Sequence, residues 1–211
     1  MRAFVSVAFL LTFGCAEPVD MPAVTAPIGE VVEELRLSST AFHDGDAIPV
    51  RFSCEGDNLS PPLAWTLPPT GTETLAIILD DQDAPDLDLA NQSADPEAAN
   101  APEASAQWIA FNLPPTLRDL PEGVLVLEGE NAVGSSEGLN RYDRTAYNGP
   151  CPPPGETHNY LLRLLALDTR LDLNSSTTTT DSLYAAARGH VLGEARMTFS
   201  YRFAGQPDAD E

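Results

Sequence analysis

The chain has no lysine: all 11 of its basic residues are arginine, set against 32 acidic ones, for a formal net charge of -21 over 211 residues. A surface of that sign is soluble and is repelled by nucleic acid and by anionic membrane faces, so neither DNA nor RNA is an expected partner. The same bias is what a high-GC or salt-adapted genome yields, and it says little more about function. Histidine is nearly as scarce, with only His43, His158 and His190. They have no ligand spacing, so no metal site is expected. No glycine-rich loop ends in Gly-Lys-Ser/Thr, which removes support for nucleotide binding. The apolar run near the start, AFVSVAFLLTF, is too short to cross a bilayer.

That run nevertheless has a shape. Met1-Arg2 precedes it and Gly14-Cys15 follows, giving the charged start, short apolar core and small residue of an export signal. Cys15 directly after Gly14 looks like a bacterial lipoprotein box, with the leucine one place early at Leu11. Residues 1–15 therefore read as a lipoprotein-type signal peptide ending at the lipid acceptor Cys15. The expected location is the bacterial cell envelope, with the membrane reached only through that anchor; the alternative is a periplasmic or secreted protein. Residues 16–34, rich in proline, valine and acids, read as a flexible tether. With Cys15 lipidated, Cys54 and Cys151 remain. An even pair in an oxidising compartment suggests a disulfide, and two buried thiols are the alternative.

Residues 35–204 are enough for one well-buried domain. Val50, Phe52 and Cys54 alternate with Arg51 and Ser53 as a half-buried strand would. LAIIL (Leu75–Leu79) is continuously apolar, which predicts a central strand covered on both faces. WIAFN from Trp108, VLVLEG (124–129) and the leucine-rich run from Tyr160 to Asp168 add three more strands. ARMTFSYRF ends the domain with Met197, Phe199, Tyr201 and Phe203 on one side. Asp181-Ser182 would cap a short helix, LYAAAR, closed by Gly189. Many short strands and one or two short helices predict a mainly all-β antiparallel sandwich. Residues 86–106, rich in alanine and acids, read as an acidic insertion, either a plain surface excursion or a lid or partner-binding arm. Residues 205–211 read as a disordered tail.

The stretch YNGPCPPPGETHNY (Tyr147–Tyr160) carries four prolines and two glycines. Each proline fixes its own φ and restricts its neighbour, so the loop is stiff. It suits either a binding wall or a simple turn into a core strand. His158 and Tyr160, two apart at a strand entrance, share one face. With Asp81-Gln82-Asp83-Ala84-Pro85 after LAIIL, Gln107-Trp108, CEGDNLSPPLAW (Cys54–Trp65) and Gly189-His190-Val191, the chain resembles the phosphatidylethanolamine-binding protein family in its bacterial Raf-kinase-inhibitor-like branch. The resemblance covers roughly Leu35 to Phe203.

The resemblance implies a Greek-key pair of sheets with a pocket at one end, taking a small anion or phosphorylated head group. The matching positions are Asp81, Asp83, Pro85, Gln107, Trp108, Gly149, Pro150, His158 and Tyr160. Carboxylates beside an anion repel it unless they are hydrogen-bonded elsewhere, so Asp81 and Asp83 are expected to order the site. His158 and Tyr160 are then the direct donors, with N–H groups around Gly149 as a cradle and Trp108 as an apolar wall. Gln107 stands where the family has histidine, and glutamine cannot become positive.

Three classes follow: a binding module, an inhibitor or regulator of a protein partner such as a protease, and a hydrolase using His158 with Asp81 or Asp83. The third lacks an evident nucleophile, since Ser60 sits in a proline turn and Cys151 is oxidised or buried. No cofactor is implied.

Overall fold

The computed structural model describes residues 34–84, 106–124 and 135–204. Cys15 with the signal segment, nearly all of the tether, Pro85, the insertion up to residue 105, all but the first residue of the strand expected at 124–129, and the tail lie outside the described residues.

Three short strands, β1 (Leu37–Ser38), β2 (Leu63–Trp65) and β5 (Asp119–Leu120), form a small antiparallel sheet in the order β1-β2-β5. The larger sheet runs β6-β4-β3-β7-β8, from β3 (Thr74–Asp81), β4 (Ala106–Leu113), β6 (Ser136–Glu137), β7 (Thr157–Leu167) and β8 (Val191–Arg202). Every strand pair is antiparallel; β7 returns to lie beside β3 on the side away from β4. One isolated parallel bridge, Ala47 to Ser200, lays the preceding loop along β8.

The continuous apolarity of β3 has the predicted consequence. Leu75, Ile77 and Leu79 pack with Leu63, Trp65 and Leu120 of the small sheet, which makes the two sheets a sandwich. Ala76 and Ile78 face the other way, into a second core with Ile109, Phe111, Leu165 and the helix residues Leu183 and Ala187. All eight residues of β3 are buried. In β8 the alternation holds, with Ala195, Met197, Phe199 and Tyr201 inward.

Three local expectations need correction. Val50–Phe52 is a 3-10 turn, not a strand: Phe52 N–H bonds Pro49 O and Ser53 N–H bonds Val50 O, and only Phe52 of the three is buried. Pro49 sets the entry to that turn, and the short alternation mimics a strand because a tight turn also buries one residue and exposes its neighbours. The helix α1 (Thr180–Ala187) starts earlier than expected, capped by Thr179, whose side chain and that of Ser182 bond each other's backbone N–H groups. Gly189, at φ +82°, ends it in the left-handed region as expected. Ala106, assigned to the acidic insertion, is the first residue of β4.

Candidate functional site

Asp81 is the last residue of β3 and sits opposite Tyr160 on β7. Strand alternation puts it on the face of Ile77 and Leu79, and puts His158 beside it, two residues before Tyr160. Both Asp81 oxygens lie 3.0 Å from His158 Nδ1, and one also accepts the Asp83 N–H at 3.1 Å. Arg141 approaches the other oxygen at 3.6 Å. Both Asp81 and His158 are buried. The Asp83 carboxylate turns away, accepting from the Asn159 backbone and side chain at 2.6 and 2.8 Å. Both carboxylates are thus committed within the chain, and Asp81 fixes the His158 ring.

Burial opposes the charged form of His158. The hydrogen bond and charge of Asp81, with Glu156 and Asp83 adding to them, outweigh that penalty and raise its pKa above the ordinary histidine value. Its other ring nitrogen, Nε2, lies 3.4 Å from the Glu156 carboxylate. Tyr160 stacks on Phe199 at 5.4 Å and lies 6.5 Å from the His158 ring. Its buried hydroxyl makes no hydrogen bond of good geometry among the described residues. Burial, then the nearby Asp81 charge, pushes its titration upward.

Gln107 is the extra residue of a β-bulge, since Trp108 pairs with Leu79 while Ala106 pairs with Asp80. Its amide oxygen accepts from Asn148 Nδ2 at 3.2 Å and its carbonyl from the Asn148 N–H at 2.9 Å. Its side-chain nitrogen is buried and without a partner among the described residues. Trp108 is core more than wall. It is 1% exposed, meets Tyr147 edge-on at 5.6 Å and donates to Glu137 at 2.8 Å. Burial, only partly offset by the Trp108 N–H, raises Glu137 to about 7.

The proline loop is tied down at its first turn. Tyr147 donates to Phe52 O at 2.7 Å, Gly149 N–H to Asn58 Oδ1 at 2.7 Å and Cys54 N–H to Pro150 O at 3.1 Å. Cys54 and Cys151 are joined by a disulfide across 97 residues. A Cβ on Gly149 would stand 2.1 Å from Phe52 O, so close backbone approach demands glycine here. The Gly149 N–H is therefore spent on Asn58, and the cradle expected around it lacks that donor.

Sequence reasoning missed Arg141, which no motif singled out. Arg144 is exposed; the Arg141 side chain is only 13% exposed and points to Asp81. The turn that aims it is built by buried Asn140, whose side-chain oxygen takes the N–H of Tyr142 and of Arg144 while its amide donates to Ala146 O. Arg141 N–H then bonds Ala106 O, fastening the turn to the start of β4. Asparagine followed by polar and aromatic residues is a turn signal, but nothing in it says which arginine folds inward.

Neither candidate nucleophile joins His158: Cys151 is in the disulfide, and Ser60 lines a separate cavity of about 60 Å³ with Asn58, Glu137 and Tyr147.

The phosphatidylethanolamine-binding protein family profile matches residues 38–202. A UPF0098 protein of Methanothermobacter thermautotrophicus is 40% identical over 80% of this chain and 99% of its own length. A Mycobacterium tuberculosis protein named as a lipoprotein, LppC, is 31% identical over 80% of this chain and 73% of its own. Among solved structures, a Chlamydia trachomatis homologue of the phosphatidylethanolamine-binding proteins superposes with a TM-score of 0.64 at 30% identity, covering 80% of this chain and 97% of that one. Escherichia coli YbcL gives 0.65 at 24% identity, a likeness of fold, over 81% and 99%. Family profile, relatives and the two-sheet architecture agree: the chain belongs to the phosphatidylethanolamine-binding protein family.

Proposed function

We propose that the protein is a binding protein of the bacterial cell envelope, held by lipid on Cys15, whose pocket takes a small anionic or phosphorylated ligand. The observation that carries this reading is the buried His158, held by Asp81 and biased toward its charged form. A cation kept inside a protein without a functional demand is a cost in desolvation. Here Asp81 offsets that cost, and the ring's other edge meets only the exposed Glu156 carboxylate at 3.4 Å among the described residues, a contact that an anionic ligand would replace. The name of the mycobacterial relative supports the lipid anchor. His158 with Asp81 has the form of a base and its orienter, but neither Cys151, held in the disulfide, nor Ser60, in a separate cavity, stands beside it as a nucleophile, which favours binding over hydrolysis.

Calorimetric titration of the full chain with inorganic phosphate and with phosphoethanolamine, beside a His158→Ala control, tests the pocket. Saturable binding weakened in the control is expected; no binding at millimolar concentrations contradicts the reading. Labelling with a fatty-acid analogue, lost in Cys15→Ser, tests the anchor.

A further inference from the structure

Two buried donors stand without partners among the described residues, Arg141 Nε and the Gln107 side-chain nitrogen, and the buried Tyr160 hydroxyl beside them approaches Asp81 outside good hydrogen-bond geometry. They belong to three elements that meet at one strand end. Tyr160 is the cross-strand partner of Asp81. The Arg141 guanidinium lies 3.6 Å from Asp81, and its backbone is bonded to Ala106, the residue before Gln107. Buried polar groups are rarely left unmade, because each costs its full desolvation, and two unmade donors beside a weakly held hydroxyl mark a place where something else completes them.

The acceptors nearby are already used. The Gln107 amide oxygen is taken by Asn148, and the Asp81 oxygens by His158 and Asp83. What remains is a set rich in donors, and the partner it fits is rich in acceptor oxygens and negative. Arg141 also supplies the positive charge that glutamine at 107 cannot. His158 and Arg141 flank the buried carboxylate of Asp81, and the Glu156 carboxylate lies 3.4 Å from the far edge of the imidazole, so Arg141, charged at every working pH, is the dependable cation of the site.

We infer that Arg141 is the principal charge-bearing ligand residue of this site, binding a carboxylate- or phosphate-type oxyanion through its free Nε edge, together with the Gln107 amide and the Tyr160 hydroxyl. The inference rests on the anion-pocket reading above and deepens it. It moves the main charge from the histidine to an arginine brought in by the Asn140 turn. A guanidinium edge binds a two-oxygen face as a fork, which an ammonium cannot reproduce.

The test compares phosphate and phosphoethanolamine binding to the full chain, to Arg141→Gln, to Arg141→Lys and to Gln107→Ala. Arg141→Gln is expected to lose roughly tenfold or more in affinity, the size of one charge-assisted hydrogen bond, with Arg141→Lys recovering only part of it. Gln107→Ala should lose less. Equal loss for both ligands means that the free oxyanion suffices; a larger loss for phosphoethanolamine means that a head group is the ligand, and either supports the assignment. Because Arg141 also neighbours Asp81, the parent protein gives a second readout free of folding artefacts: phosphate should shift the Arg141 Nε resonance and slow exchange of its proton. Phosphate that binds the parent, is retained within twofold by Arg141→Gln and leaves the Nε resonance in place overturns this inference alone. Absence of phosphate binding to the parent overturns the pocket reading, and this inference with it.

Discussion

Asp80 and Asp81 are consecutive buried carboxylates at the end of one strand, and the pleat sends them to opposite faces. Asp81 meets an imidazole, a backbone N–H and a guanidinium. Among the described residues Asp80 meets only Arg163, at 3.6 Å, and one of its oxygens has no hydrogen bond. Arg163 is drawn elsewhere, bonding the Tyr184 hydroxyl of α1 and lying 3.7 Å from Glu194. Burial accordingly raises Asp80 to about 6, against the weaker pull of Arg163. A buried carboxylate becomes a working part when its surroundings supply donors, and a tolerated cost when they do not. Sequence adjacency has no bearing on which it becomes.

The sharpest way to break this contrast is to neutralise each carboxylate in turn. Asp81→Asn strips two buried cations of their counter-charge and should cost about 3–5 kcal/mol of stability. Asp80→Asn should cost nothing and stabilise slightly at pH 8, because it removes a charge that burial disfavours while Arg163 keeps Glu194 and Tyr184. Urea unfolding measures both, and equal costs would end the distinction.

The faces should also separate by pH. The Asp80 carboxyl takes up its proton more readily folded (about 6) than unfolded (3.8). Its ionisation therefore opposes folding, with the full penalty above pH 6, relieved as pH falls toward 4. The difference is worth at most about 3 kcal/mol. For His158 the folded pKa is also raised, but here the charged form is the stabilising one. Its contribution stands below 6.5 and is lost as pH rises through the folded value. Asp80→Asn should flatten the stability profile between pH 4 and 6, and His158→Ala should flatten it above 6.5. If either variant changed the other window, the assignment of faces would be wrong.

A third variant sharpens the comparison from the loop side. Gly149→Ala places a methyl against Phe52 O and should cost about 1–3 kcal/mol, loosening the proline loop while leaving the Asp80–Arg163 pair as it was. Nuclear magnetic resonance shifts confined to loop and site would show this; shifts reaching Tyr184 would not fit. The smallest effect is expected of Gln107→His, which adds a titrating donor beside Arg141. Phosphate affinity should rise a few-fold more between pH 8 and pH 6 than in the parent, by calorimetry.

Much of the fold was legible because its signals are local. The apolar run of β3 and the alternation of β8 state their own burial, and the spacing of His158 and Tyr160 puts both on one face. The disulfide followed from cysteine arithmetic once export was assumed. The errors are of another kind. Val50–Phe52 alternates for only a few residues, too few to separate a strand from a 3-10 turn behind a proline. The start of α1 slipped because Thr179, Asp181 and Ser182 are all capping residues, and only the bonds to Thr179 decide. Arg141 was out of reach because its role depends on a side-chain turn at Asn140 and on meeting a strand end 60 residues earlier in the chain. The commitment of Gly149 to Asn58 likewise depends on a contact across 91 residues. Motif spacing brought Asp81, His158 and Tyr160 to one strand end; which of their donors are free is a property of long-range packing.

The most direct measurement is the titration of the His158 ring by nitrogen-resolved magnetic resonance in the full chain, without and with saturating phosphate. Binding and protonation are linked, so an anion that prefers the charged ring must raise its pKa. A value above 6.5 is expected in the free protein, with a further rise on adding phosphate. A value at or below 6.5 that phosphate leaves unchanged would contradict the anion-pocket reading.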